Sequence, residues 1–230
     1  MTLVIRIFQL RQLDLNDEGN KIGPVRLACL FTVFCLWSCQ DAPLAGEAKP
    51  SSGSATAEIL ASLTDPAKLD TLKGKRAATP RLRKSCYWIE AARREGQDPV
   101  KLIESAQRVN GSYGTERAKM LVEALTRNRT ILERLGCLDE AGMGKLRKGN
   151  APTITKGPYA GELATGDHII PRSVCPVLDN VIVNLEFLPA TLNQRKGAKV
   201  GERQVAVARK FHAAGIIDAA ALGAIEAAKR

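Results

Sequence analysis

His168 is one of only two histidines in this 230-residue chain. It stands in GDHIIPRS, residues 166–173, with Asp167 directly before it and Ile169, Ile170 and Pro171 directly after. A neutral imidazole has a pKa near ~6.5, so it can take a proton from water at neutral pH. An acid and an imidazole side by side are residue types used for proton transfer and for binding hard cations. Taken alone, a histidine at a strand end is more often a hydrogen-bonded structural residue. The surrounding pattern therefore has to decide.

That pattern must come from elements that position the pair. APTITKGPYAGELATG, residues 151–166, is rich in Thr, Gly and β-formers, with Gly157-Pro158 as a turn. It predicts a strand or hairpin running into Asp167-His168. NVIVNLEFLP, residues 180–189, predicts a second strand, and Pro189 can open a short helix carrying Asn193. GERQVAVARKFHAAG predicts another helix, and Asp218 caps a last one. Upstream, residues 80–148 read as amphipathic helices. Leu82, Cys86 and Ile89 share a face before Gly96. Asp98-Pro99 starts a helix with the stripe Leu102, Ile103, Ala106 and Val109, ended by Asn110-Gly111. Thr115 caps a longer helix ending at Gly136, and Asp139 opens a shorter one closing near Gly149. Residues 40–57, small and polar with two prolines, read as a flexible tether. Residues 58–79 predict at most a short helix. The fold class expected is α+β: a mainly helical N-terminal region over residues 58–150, then a strand-strand-helix module with C-terminal helices over 151–230.

GDHIIPRSVCPVLDNVIVNLEFLPATLNQRKGAK resembles the core of the HNH endonucleases. The shared pattern is the acid-His pair, a hydrophobic pair with proline, NL after a variable loop, and then LNQRKG. It covers residues 167–199 tightly and 151–212 as a full ββα-metal module, and nothing in residues 1–150 matches. The resemblance implies hydrolysis of phosphodiester bonds, in DNA rather than RNA. It makes His168 the general base and gives Asp167 and Asn193 the divalent ion. Asn184 joins His168 in the catalytic set as the asparagine that pins the loop between the strands by backbone hydrogen bonds. Many relatives have His where Asn193 stands, and the change to an oxygen ligand shifts the expected ion to Mg2+, or Mn2+. Many also carry paired cysteines that bind a structural zinc. None occur here, so the hydrophobic helices must brace the module. Arg172, Arg195, Lys196 and Lys199 surround the motif and can reach phosphate. His212 lies outside it, and Cys175, in the variable loop, is assigned no role. Two other readings stay open: a non-catalytic nucleic-acid-binding module that keeps the fold, and an exported toxin-like nuclease.

Composition fits an anionic partner. The formal net charge is +10, from 34 Lys/Arg against 24 Asp/Glu. Four of those cations and three of the acids lie in residues 1–38, so the body without them keeps +9. Aromatic content is only 4%, which argues against binding by base stacking. Leu27–Trp37 is an apolar run of eleven behind Arg26. It is too short for a bilayer span of ~20 residues and suits a secretory signal. Leu36-Trp37-Ser38-Cys39 resembles a bacterial lipobox, which makes Cys39 a candidate lipidation site and membrane tether and implies export. In that setting one disulfide could form among Cys86, Cys137 and Cys175. No CxxC spacing suggests zinc.

Overall fold

Helix formation begins earlier than the small, polar composition suggests. The computed structural model describes residues 52–74 and 77–229. The candidate signal segment, Cys39 and most of the expected tether lie outside the described residues. Helix α1 spans Ser52–Thr64, so the tether reading is corrected over its last six residues, 52–57. The expectation of at most a short helix beyond it is corrected as well. Ala57, Leu60, Ala61 and Thr64 fall at i, i+3, i+4 and i+7 and are all buried. Two of these four are alanines, which let α1 pack closely on its neighbours. Asp65 then caps α2, Pro66–Asp70, by accepting from the Ala67 N–H.

Four helices come next, and the last three start at the caps read in the sequence. They are α3 (Thr79–Arg94), α4 (Pro99–Val109), α5 (Glu116–Arg134) and α6 (Glu140–Arg147). Asp98 accepts from the N–H groups of Val100 and Lys101, Thr115 from Ala118, and Asp139 from Gly142. Each satisfies donors that the first helical turn leaves unpaired. Helix α1 packs on α3 and α4, and α3 packs on α5 and α6. Val109 departs from its expected stripe: as the last residue of α4 it is 57% exposed.

A buried carboxylate joins α3 to α5. Glu90 accepts from Arg93, Arg94 and Arg129, with Arg129 Nε at 2.9 Å. Burial alone would raise the Glu90 carboxyl, but the three guanidinium hydrogen bonds outweigh it and hold it at about 2. The unfolded carboxyl titrates near ~4.3. A depressed folded value gives stability that is present above ~4.3 and lost as pH falls toward about 2. Glu90→Gln should therefore flatten the stability profile across that window. It should also cost about 1–3 kcal/mol at neutral pH, because Arg129 loses a buried acceptor while keeping its pair with Glu133. Urea denaturation at a series of pH values measures both effects. An unchanged acid limb would remove Glu90 as its source.

After α6 the chain makes an isolated bridge, Thr153 with Leu163, and enters β1, Ala164–His168. β1 pairs antiparallel with β2, Leu185–Pro189, in the register Asp167 opposite Glu186 and His168 opposite Leu185. The second strand is shorter than read, because Ile182–Asn184 forms a 3-10 turn instead. Helices α7 (Ala190–Lys196), α8 (Glu202–Ala213) and α9 (Ala219–Ala227) follow, with Asp218 capping α9 through the Ala221 N–H. The fold is thus α+β: mainly helical, with one two-stranded antiparallel sheet among the described residues.

One apolar cluster runs through the helices and the strand module, joining Ile89, Leu125 and Leu132 to Ile170 and Phe187. Helix α5 braces the strand pair. Asn128, fully buried, donates to Leu185 O at 2.9 Å and accepts from the Phe187 N–H at 2.9 Å. Its amide thus takes the place of a third strand along β2. Cys86, Cys137 and Cys175 are free, buried thiols, so the conditional disulfide is not formed. Burial pushes the Cys86 and Cys137 thiols up to about 12, which keeps them unreactive at neutral pH. Among the described residues no helix is long and apolar enough to cross a membrane.

Candidate active site

The site is assembled where α7 lies along β1. Glu162, just before the strand, accepts from the Thr191 N–H at 2.9 Å and from its hydroxyl at 2.8 Å. Those bonds hold down the Glu162 carboxyl and cap a helix whose own N-cap, Pro189, has no side-chain acceptor. The two elements then run in step. Residues i and i+2 share a strand face, and residues i and i+3 share a helix face. Asn193 Nδ2 donates to Thr165 Oγ1 at 2.9 Å, and the Lys196 ammonium lies 2.6 Å from Asp167 Oδ2. The same ammonium also donates to the His168 carbonyl oxygen.

Gly166 explains how this strand can be approached from behind. A Cβ there would come to 2.5 Å from Thr79 Cγ2, so only glycine lets the start of α3 rest on β1. Strand alternation puts Ala164 and Gly166 on that core-facing side, and Thr165 and Asp167 on the side of α7. The His168 ring, at the end of the strand, reaches Asp179 in the loop that follows. The ring is 4% exposed. Its Nε2 makes a 2.9 Å hydrogen bond with the main-chain oxygen of Asp179. Asp179 Oδ1 is 3.0 Å from the same nitrogen, and is buried without a hydrogen bond of its own. A carbonyl can only accept, so Nε2 carries the proton and Nδ1 is left as the basic atom.

Asn184 lies under the intervening loop and is fully buried. Its Oδ1 accepts from the Ile170 N–H at 2.9 Å, and its Nδ2 donates to the carbonyls of Ile170 and Leu178 at 3.0 and 3.4 Å. Its own carbonyl accepts from the Ile169 N–H at 2.7 Å. This loop carries Asp179 to His168. Asn180 fastens it to the helical region, accepting from the Ala78 N–H and donating to Leu72 O.

The expected phosphate-reaching cations separate. Arg195 and Lys199 are exposed. Arg172 is half-buried, with its guanidinium 4.0 Å from Asp179 Oδ2. The Lys196 ammonium sits on Asp167 and the His168 carbonyl, because helix and strand bring it there. His212 is exposed on α8, away from these contacts.

Asp179, Glu186 and Arg203 were not anticipated. Glu186 is 3% exposed and stands opposite Asp167 in the sheet. Arg203 of α8 donates to its two oxygens, at 2.9 Å to Oε1, and the Glu186 carboxylate holds the Arg203 guanidinium above its usual range. Arg127 of α5, whose pKa burial lowers, also feels the field of Glu186. The visible signal was a lone acid inside the apolar run NLEFLP. Asp179 left none, because an acid in a loop is ordinary.

Asp167 Oδ2 and the His168 carbonyl form a cradle that already holds a cation, the Lys196 ammonium. Asn193, with its Nδ2 used on Thr165, keeps Oδ1 as a further oxygen. These donors fit a hard divalent ion. They are few: among the described residues no group of three or more His, Cys, Asp or Glu converges to hold a metal. Compared with protein-family models, curated proteins and solved structures, the chain matches none.

Proposed function

We propose that this protein is a metal-dependent endonuclease of the HNH type that hydrolyses phosphodiester bonds of DNA. The observation that carries the reading is the alignment of α7 on β1. It sets Asn193 on Thr165 and Lys196 on Asp167, beside the carbonyl of His168. Contacts 28 and 29 positions apart in the chain thus lay the LNQRKG helix along the strand that ends in GDH, which supports the reading.

His168 takes the proton of the attacking water at Nδ1, while its Nε2–H stays on Asp179 O. Asp167 and Asn193 would hold Mg2+, or Mn2+, which supplies charge neutralisation at the phosphate and the leaving oxygen when bound. Arg172, Arg195 and Lys199 meet the flanking phosphates of the strand. Asn184 keeps the loop closed so that Asp179 stays on the ring. A candidate export signal and Cys39 lipidation would place this activity outside the cytoplasm, in a scavenging or toxin-like role.

The test is incubation of supercoiled plasmid with the full chain. Nicked or linear product in Mg2+ or Mn2+, abolished by EDTA, is the expected result. Plasmid that stays supercoiled in Mg2+, Mn2+, Ni2+ and Zn2+ while the protein still retards it in a gel would favour the non-catalytic binding module. The burial of His168 is the feature that suits that second reading.

A further inference from the structure

We infer that Lys196 is a tethered competitor for the divalent ion, so that metal and phosphodiester load together and the ammonium passes from Asp167 to a phosphate oxygen as they arrive. The inference rests on the nuclease reading above and adds to it an order of assembly.

Charge around Asp167 is the first argument. Two carboxylates, Asp167 and Glu186, are neighbours across the sheet, and each is already paired, with Lys196 and with Arg203. Arg127 adds a third cation within reach of Glu186. Both carboxylates are therefore already neutralised before any ion enters. The Asp167 and Lys196 side chains are 10% and 15% exposed, so water screens them poorly. A divalent ion on Asp167 with Lys196 still in place would meet strong repulsion.

Coordination is the second argument. The protein offers few oxygens, and one of them, the His168 carbonyl, is also held by Lys196. A phosphodiester removes both obstacles at once. It brings a negative charge for the ammonium and oxygens for the ion. Lysine suits the exchange, because its ammonium is a point charge on a flexible stem that can be re-aimed without moving the backbone. Asn193, one turn earlier on α7, stays tied to Thr165 while Lys196 moves.

The experiment follows Mn2+ binding by electron paramagnetic resonance, using the full chain silenced by His168→Gln, with and without a short DNA duplex. Duplex should tighten Mn2+ binding by roughly 5–150-fold, and Mn2+ should tighten duplex binding by the same factor. Lys196→Met, with Lys196→Gln as a second variant, should tighten Mn2+ binding without duplex and shrink that coupling. Lys196→Arg, which keeps the charge, should retain it. Melting curves establish that each variant is folded. If neither neutral variant binds Mn2+ more tightly than its parent without duplex, Lys196 does not compete and the inference falls, with the nuclease reading intact. Absence of Mn2+ binding in every variant, with and without duplex, together with an inert wild-type protein, overturns the nuclease reading and this inference with it.

Discussion

His168→Ala is expected to lower turnover by ~10²–10⁴-fold, the usual contribution of a general base. The orientation of the ring makes the prediction specific. With Nε2–H held on Asp179 O, only Nδ1 can accept a proton from water. Alanine also leaves a hole at a site 4% exposed and strips the Asp179 carbonyl of its donor. A stability loss of about 1–3 kcal/mol should accompany the loss of turnover, so rates must be compared well below each melting temperature. His168→Gln separates the two effects. Its side-chain N–H can still donate to Asp179 O, so stability should largely return, while turnover stays low because an amide is not a base. Wild-type turnover in His168→Gln would remove the histidine from the chemistry. Mn2+ titration adds a second check. If His168→Ala loses the ion while Asn193→Ala keeps it, His168 is a ligand and the base lies elsewhere.

What could be read from the residues, and what could not, divides along the range of the interactions. Asp98, Thr115, Asp139 and Asp218 act within three residues of themselves, and their capping bonds match the reading. Asn184 was read through its resemblance, and its bonds to Ile170 and Leu178 fit the pinning role. Helix α1 was missed because Ala57 and Ala61 carry its buried face, and alanine barely registers in an apolar pattern. Residues 182–184 look like strand in the sequence, because a continuous apolar run looks the same in a strand and in a buried turn. There Asn184 draws the chain toward Ile170 and Leu178, and the ladder starts only at Leu185. The pairing of Lys196 with Asp167 needs the register of α7 on β1, which depends on Glu162 at the start of the helix. Nothing local in QRKG reports that register. Asn128 is hidden for the same reason: its partners lie 57 and 59 residues away.

Asn184→Ala should be strongly destabilising, at about 2–6 kcal/mol. The figure follows from two orphaned main-chain groups of Ile170, each costing roughly 1–3 kcal/mol when buried without a partner. Ile170 is fully buried, so water cannot replace the amide. The weaker 3.4 Å bond to Leu178 adds little. Asn184→Asp should not rescue the site: it can accept from the Ile170 N–H but turns a second oxygen on the Ile170 carbonyl. Turnover should fall too, and by a different route. The loop between the strands carries Asp179, so loosening its root frees the His168 ring to rotate and to exchange tautomers. Urea denaturation gives the stability term, and hydrogen exchange at the Ile170 amide reports whether the loop root has opened. The rate of plasmid cleavage, measured where the variant is fully folded, isolates the functional term. Normal cleavage by folded Asn184→Ala would mean that the asparagine serves folding alone and that the ring is held by Asp179 without help from the loop.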